Sequence, residues 1–153
     1  MKISKYNSEG YHDPTTYEAL SNIEKQRREE HFNRIRQQRP GFRPLVYICS
    51  PYSGNIKLNV EAAQRYCRFA VEQNYIPFAP HLLFPQFLDD LNTEERNLAI
   101  FMGKVLMSKC AEVWVFGDYI SPGMASEIDR AEHHKMPIRY FSSDCIEQGD
   151  RNG

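Results

Sequence analysis

Residues 45–55 read LVYICSPYSGN, and residues 112–127 read EVWVFGDYISPGMASE. Each is a short, mainly apolar run that breaks into a loop of small and polar residues and then into a segment of helical periodicity. Unbroken apolar runs of this length suit strands of a parallel sheet, which are covered on both faces. The segments around them complete the pattern. Asn55 to Gln73 carries Val60, Ala63, Cys67, Ala70 and Val71 on one stripe, and Asn74 is suited to end that helix. Tyr75 to Ala79 reads as a short strand, and Pro77 assigns it to a sheet edge because proline cannot donate to a ladder. His81 to Leu91 is an irregular apolar stretch. Asn92 with Glu95 marks a helix start that runs to about Ser108. Ser121 and Pro122 begin another helix, which ends near Lys135, and Pro137 to Phe141 is a fourth strand.

Strands alternating with helices predict an α/β domain with helices on both faces of the sheet. The expected architecture is a flavodoxin-like or Rossmann-like three-layer sandwich with a four- to five-stranded parallel sheet, plus an N-terminal helical appendage. With right-handed crossovers and strand order 2-1-3-4, the chain reverses direction between strands 1 and 3. Ligands of such sheets bind in the crevice at that switch, beyond the carboxyl ends of the strands. The loops predicted to meet there are Ser50 to Gly54 and Gly117 to Ser121, which are also rich in polar and small residues.

Composition divides the chain. Residues 1–43 hold nine Lys/Arg and six Asp/Glu with few aliphatics, whereas residues 44–153 hold ten and fourteen and nearly all the aliphatic runs. The expected organisation is a charged, partly helical appendage over 1–43, an α/β domain over 44–141 and a loose polar tail over 142–153. In the appendage, Asp13 and Pro14 are suited to start a helix to about Gln37. Its apolar residues Tyr17, Leu20, Ile23, Phe32 and Ile35 are sparse, so it is expected to be marginal and to dock on the domain or on a second subunit. Its arginines (Arg27, Arg28, Arg34, Arg36, Arg39, Arg43) are interleaved with acids, which argues against a nucleic-acid arm. The formal net charge of -1 favours neither nucleic acid nor an anionic membrane. No stretch approaches the roughly 20 apolar residues that span a bilayer, and no secretory signal is read at the N-terminus. A cytoplasmic protein is expected.

Cys49, Cys67, Cys110 and Cys145 form no CxxC pair and read as buried reduced thiols. No Cys/His set has ligand spacing, so neither metal nor cofactor is expected. His133 and His134 read as a solvated helix end and Trp114 as core. Asp89 and Asp90 read as caps of the following helix. Arg139 faces either the crevice or a subunit interface.

The first loop offers Ser50, Tyr52, Ser53, Gly54 and Asn55 ahead of a helix N-terminus, a setting that suits a phosphate or a sugar, or simply a capped strand-to-helix turn. It matches neither the P-loop nor GxGxxG. In the second, Ser121 as cap and Pro122 at the first helical position put Met124, Ile128 and Ala131 on the buried stripe. Glu127 then borders that stripe, about 60° from its centre at ~100° per residue. A carboxylate there needs hydrogen-bond partners or a chemical role, unless it is a solvated glutamate paired with Arg130 or Arg96.

Ser50, Pro51 and Tyr52 after a strand, Asn59, the run Val113 to Gly117, and Ser121-x-Gly123-Met124-x-x-Glu127-x-x-x-Ala131 together resemble the nucleoside 2-deoxyribosyltransferase-like family, above all its uncharacterised bacterial and phage members. The resemblance covers roughly residues 45–141. It implies N-glycosidic bond cleavage or transfer on a (deoxy)nucleoside or nucleoside monophosphate, with Glu127 as nucleophile. It implies that Ser50, Pro51, Tyr52, Ser53, Gly54 and Asn59 serve the sugar or 5′-phosphate, with Tyr52 bonded to the nucleophile or the sugar. Ser121, Gly123 and Met124 would border the sugar, His81 would approach the base, and Phe84 or Phe87 would stack on it. Characterised members carry an aspartate in the helix before the third strand. Here that region, Glu94 to Gly103, has none. Asn97 is suited to bind a hydroxyl there, and Asp118 or His81 is the expected substitute acid. A homo-oligomer is implied, with Leu82 to Leu91 as a candidate interface or lid. Two other functions fit the same crevice: a non-catalytic nucleotide-sensing module, and an NAD-type glycohydrolase.

Overall fold

The computed structural model describes residues 14–38 and 41–149. The chain divides into two units, Met1–Phe42 and Arg43–Gly153. The first contains helix α1 (Pro14–Gln38). Leu20 and Ile23 are exposed on it, as the sparse apolar spacing predicts, and the rings of Phe32 and Phe42 stack at 6.4 Å. The expected cap Asp13 lies outside the described residues, as do the side chains of Tyr17, Arg36 and Arg39.

The second unit is built from β1 (Leu45–Cys49), α2 (Ile56–Glu72), β2 (Ile76–Phe78), the single turn α3 (Pro80–Leu83) running into a 3-10 turn (Phe84–Gln86), α4 (Thr93–Met107), β3 (Glu112–Phe116), α5 (Pro122–His133), β4 (Ile138–Phe141) and β5 (Glu147–Gln148). The strands form one sheet in the order β2-β1-β3-β4-β5. The first four are parallel and β5 is antiparallel to β4. The sheet reverses between β1 and β3, where the α/β reading places its switch. Pro77 lies in the edge strand β2.

Alternation along the central strands separates two cores. Val46, Ile48, Trp114, Phe116 and Phe141 face α2, which buries Ala63, Tyr66 and Ala70 against them. Tyr47, Cys49, Val113 and Val115 face the opposite layer, where Met107 of α4 and Met124 and Ala131 of α5 cover them. The α2 stripe is therefore centred further round the helix than the sequence suggests. Tyr66 stacks on Phe116 at 4.2 Å, and Val71 is left exposed. Asn55 caps α2, and Asn74 leaves it with φ 66°, a left-handed conformation that asparagine tolerates.

The expected loose tail is a correction. Ser142 and Ile146 close a turn that returns the chain as β5. Arg139 of β4 holds Glu147 of β5 through two 2.9 Å hydrogen bonds, lies 5.0 Å over the Trp114 ring, and reaches Glu112 at 3.8 Å. Arg139 is thus committed to the sheet rather than to the crevice. One further reading shifts: Asn92, which the sequence also marks as the helix start, caps α4, and Asp89 and Asp90 do not. No described helix is long and apolar enough to cross a membrane.

Candidate active site

The turn from β3 into α5 sets the site. Gly117 leaves the strand at φ 92°, a left-handed conformation natural to glycine. The Ser121 hydroxyl accepts a hydrogen bond from the Met124 N–H at 3.2 Å, and Pro122 takes the first helical position. Met124 is consequently pinned in the core, and the side chain three residues later, Glu127, projects from the edge of the same face toward β1. Two side chains of β1 meet it. Tyr47 and Cys49, two apart and so on one face of the strand, both hydrogen-bond to the Glu127 carboxyl group. The Cys49 thiol also lies 3.9 Å from the Met124 carbonyl oxygen.

Burial dominates the electrostatics here. It pushes the Glu127 carboxyl up from 4.5 to about 7, against the two hydrogen bonds, which favour the ionised form. No cation contributes to this balance. The Tyr47 hydroxyl and the Cys49 thiol are both held well above their ordinary ranges, first by burial and then by the Glu127 charge, so both remain protonated donors.

Glu127 opens into a cavity of about 500 Å³ bounded by α4, α5, the α3 region and the loop after β1. Loop one contributes Ser50, Tyr52 and Ser53. Asn59, on the first turns of α2, holds that loop from behind by donating its side-chain amide to the carbonyls of Tyr52 and Ser53, at 3.0 and 2.9 Å. The buried Ser50 hydroxyl lies 3.1 Å from Nε2 of His81, and the Tyr52 and His81 rings are 5.8 Å apart. Burial lowers His81 to about 4, so the imidazole is neutral at neutral pH. Tyr52 is raised by burial and by the charge of Asp90, which keeps its hydroxyl protonated.

Of the residues singled out in the sequence, Glu127, Tyr52, Ser50, Ser53, His81, Ser121, Gly123 and Met124 line this one cavity, and Pro51, Gly54, Asn59, Asn97 and Asp118 do not. Asn59 acts through the loop backbone. Gly54 supplies a left-handed turn at φ 96°. Asn97 points away because α4 faces the cavity through Arg96, Ala99, Ile100, Gly103, Lys104 and Met107. Phe84 is part of the wall, whereas Phe87 is exposed and outside it. The partner of Glu127 is Tyr47, which sequence reasoning passed over. The signal was present: a tyrosine inside an aliphatic strand needs a partner for its hydroxyl. Among the described residues, no group of three His, Cys, Asp or Glu is placed to share a metal ion.

A family described as a domain of unknown function, DUF7768, matches residues 44–141. No curated protein matches the chain. Among solved structures, a 2-deoxyribosyltransferase from the psychrotolerant bacterium Bacillus psychrosaccharolyticus is similar, with a TM-score of 0.51 and 18% identity over 71% of this chain and 77% of that one. At that identity the likeness is one of fold.

Proposed function

We propose that this chain, which belongs to the DUF7768 family, cleaves or transfers the N-glycosidic bond of a nucleoside or nucleoside monophosphate through Glu127. The observation that carries the reading is the Glu127 carboxyl group, buried at the wall of a ligand-sized cavity and held by Tyr47 and Cys49, with no ion pair to it among the described residues. A carboxylate so placed is shielded from bulk water and oriented, as a nucleophile must be. The fold likeness to a 2-deoxyribosyltransferase supports the substrate class.

In the first step an ionised Glu127 oxygen bonds to the anomeric carbon. The C–N bond breaks, and its electron pair leaves with the base. In the second, water or another base attacks the same carbon, its proton passes to the departed base anion, the ester bond breaks, and the carboxylate is restored, giving overall retention. Tyr47 and Cys49 position the carboxylate. Tyr52 and Ser50 face the bound ligand as hydrogen-bonding groups. His81, neutral, orients Ser50 and is not a store of protons, so the substitute acid expected at this position is not His81. Asp89, Asp90 and Glu95 also line the cavity, and where none of them protonates the base its departure slows by about 10²–10⁴-fold.

That same neutral histidine favours a second reading, a module that binds nucleotides without breaking them. Incubation with a panel of deoxynucleosides, their monophosphates and NAD, with chromatographic detection of the free base, separates the two. Release by the natural protein and none by Glu127→Ala is the expected result. Release that survives Glu127→Ala removes the nucleophile, and binding without release in both forms supports the sensor.

A further inference from the structure

Three cations line the Glu127 cavity: Arg96 and Lys104 from α4, and Arg130 from α5. Arg96 and Lys104 share one face of α4 with Ile100 and Gly103, the i, i+4, i+7, i+8 spacing of a single helical stripe. Both helices lie on the same side of the sheet, since Met107 of α4 and Met124 of α5 belong to one core. Arg130 follows Glu127 by about one turn, ~4.5 Å along the helix axis.

Four carboxylates line the same cavity, so these cations have acids within their surroundings. None is paired with them. Among the described residues the ion pairs are Arg68 with Glu72, and Arg139 with Glu112 and Glu147. Several of the cavity's acids are instead bound to neutral donors. Glu95 accepts from the Asp89 N–H, Asp89 accepts from the Leu91 N–H, and Glu127 accepts from Tyr47 and Cys49. Among the described residues the three cations therefore make no ion pair, and their donors stand at the wall of the cavity, open to a ligand. Guanidinium forks and an ammonium group together suit the oxygens of a phosphate.

We infer that the wall formed by Arg96, Lys104 and Arg130 is an anion site for a phosphoryl group, so that the ligand of this cavity is a nucleotide rather than a bare nucleoside. The inference deepens the glycosidic reading and takes its nucleoside from it. It places the phosphate on the helical wall between α4 and α5, not on the loop after β1 where the resemblance puts it. The anomeric carbon then faces Glu127, and the base extends toward Tyr52, His81 and Phe84.

Calorimetric titration of the Glu127→Ala protein, which leaves the ligand intact, tests this with matched deoxynucleosides and deoxynucleoside 5′-monophosphates. The monophosphate is expected to bind about 10- to 100-fold more tightly, the range of a charge-assisted hydrogen bond. Adding Lys104→Ala or Arg96→Ala, at exposed positions where folding is not at risk, should remove most of that advantage and leave nucleoside affinity within about twofold. Arg130→Ala should act in the same way. Equal affinity for the two ligands, binding of neither, or equal loss for both in the cation variants overturns the site. The two proposals fail separately. A nucleotide preference that depends on these cations, without base release by the natural protein, keeps the anion site and ends the glycosidase. Base release from nucleosides and nucleotides alike, indifferent to the cation variants, does the reverse.

Discussion

Tyr47 of β1 and Glu127 of α5 share a hydrogen bond across the interface between the sheet and its covering helix, with Cys49 as a second donor to the same carboxyl group. The bond joins the centre of the sheet to the second turn of the helix that follows β3. The state of this one carboxyl group bears on stability and, on the proposed reading, on reactivity as well.

On the proposed glycosidic reading, base release should rise with pH through about 7, because only the ionised form of Glu127 would attack and burial holds its carboxyl there. Tyr47→Phe and Cys49→Ala each remove a bond that favours ionisation, so each should move the rising limb of the pH–rate profile upward. Steady-state rates of base release between pH 5 and 9 check this. A limb that stays in place in both variants would detach the two residues from the nucleophile.

Stability should show the opposite dependence. The folded-state carboxyl is raised above its value of 4.5 in the unfolded chain, so the natural protein loses stability as pH rises from about 4.5 to about 7 and is level beyond. The full cost is about 3 kcal/mol for an enclosed group, and water in the open cavity reduces it to about 1–3 kcal/mol. Glu127→Gln should abolish this slope. Relative to the natural protein, its urea midpoint should climb between pH 4.5 and 7, whereas parallel curves for the two proteins would refute the burial argument.

Asn59 should matter without touching ligand. Asn59→Ala frees the carbonyls of Tyr52 and Ser53 and loosens loop one. The expected cost is about 1–2 kcal/mol in stability and a raised KM, with a smaller effect on kcat than Glu127→Ala. Denaturation and substrate-saturation curves measured side by side provide the check.

At the far edge of the sheet, Arg139→Ala should remove the cation beside the buried Glu112 carboxylate, which keeps its 3.0 Å bond from the Trp114 indole N–H, and should release Glu147 and with it β5. A loss of about 1–3 kcal/mol is expected, together with faster amide exchange over residues 142–149. Trp114→Ala, which empties a fully buried position, should cost about 3–5 kcal/mol. A larger loss from Arg139→Ala than from Trp114→Ala would contradict the packing described here.

Local pattern carried most of the fold. Apolar runs at Leu45–Cys49 and Glu112–Phe116, helical stripes between them and a proline in β2 specify a parallel sheet with an edge, because burial on two faces leaves its mark residue by residue. The polar turns Ser50–Gly54 and Gly117–Ser121 showed where the chain changes direction, and Ser121, Pro122 and Met124 fixed the phase of α5 and hence the side on which Glu127 emerges. What the chain order could not contain is which groups from distant segments meet. The partnership of Tyr47 with Glu127, the cationic stripes of Arg96, Lys104 and Arg130, and the return of residues 142–149 as a strand held by Arg139 all depend on register between elements far apart in sequence. Periodicity reports which face of an element is buried. Only tertiary packing decides what that face is buried against, and with it the charge and hydrogen-bonding state of the groups that would do chemistry.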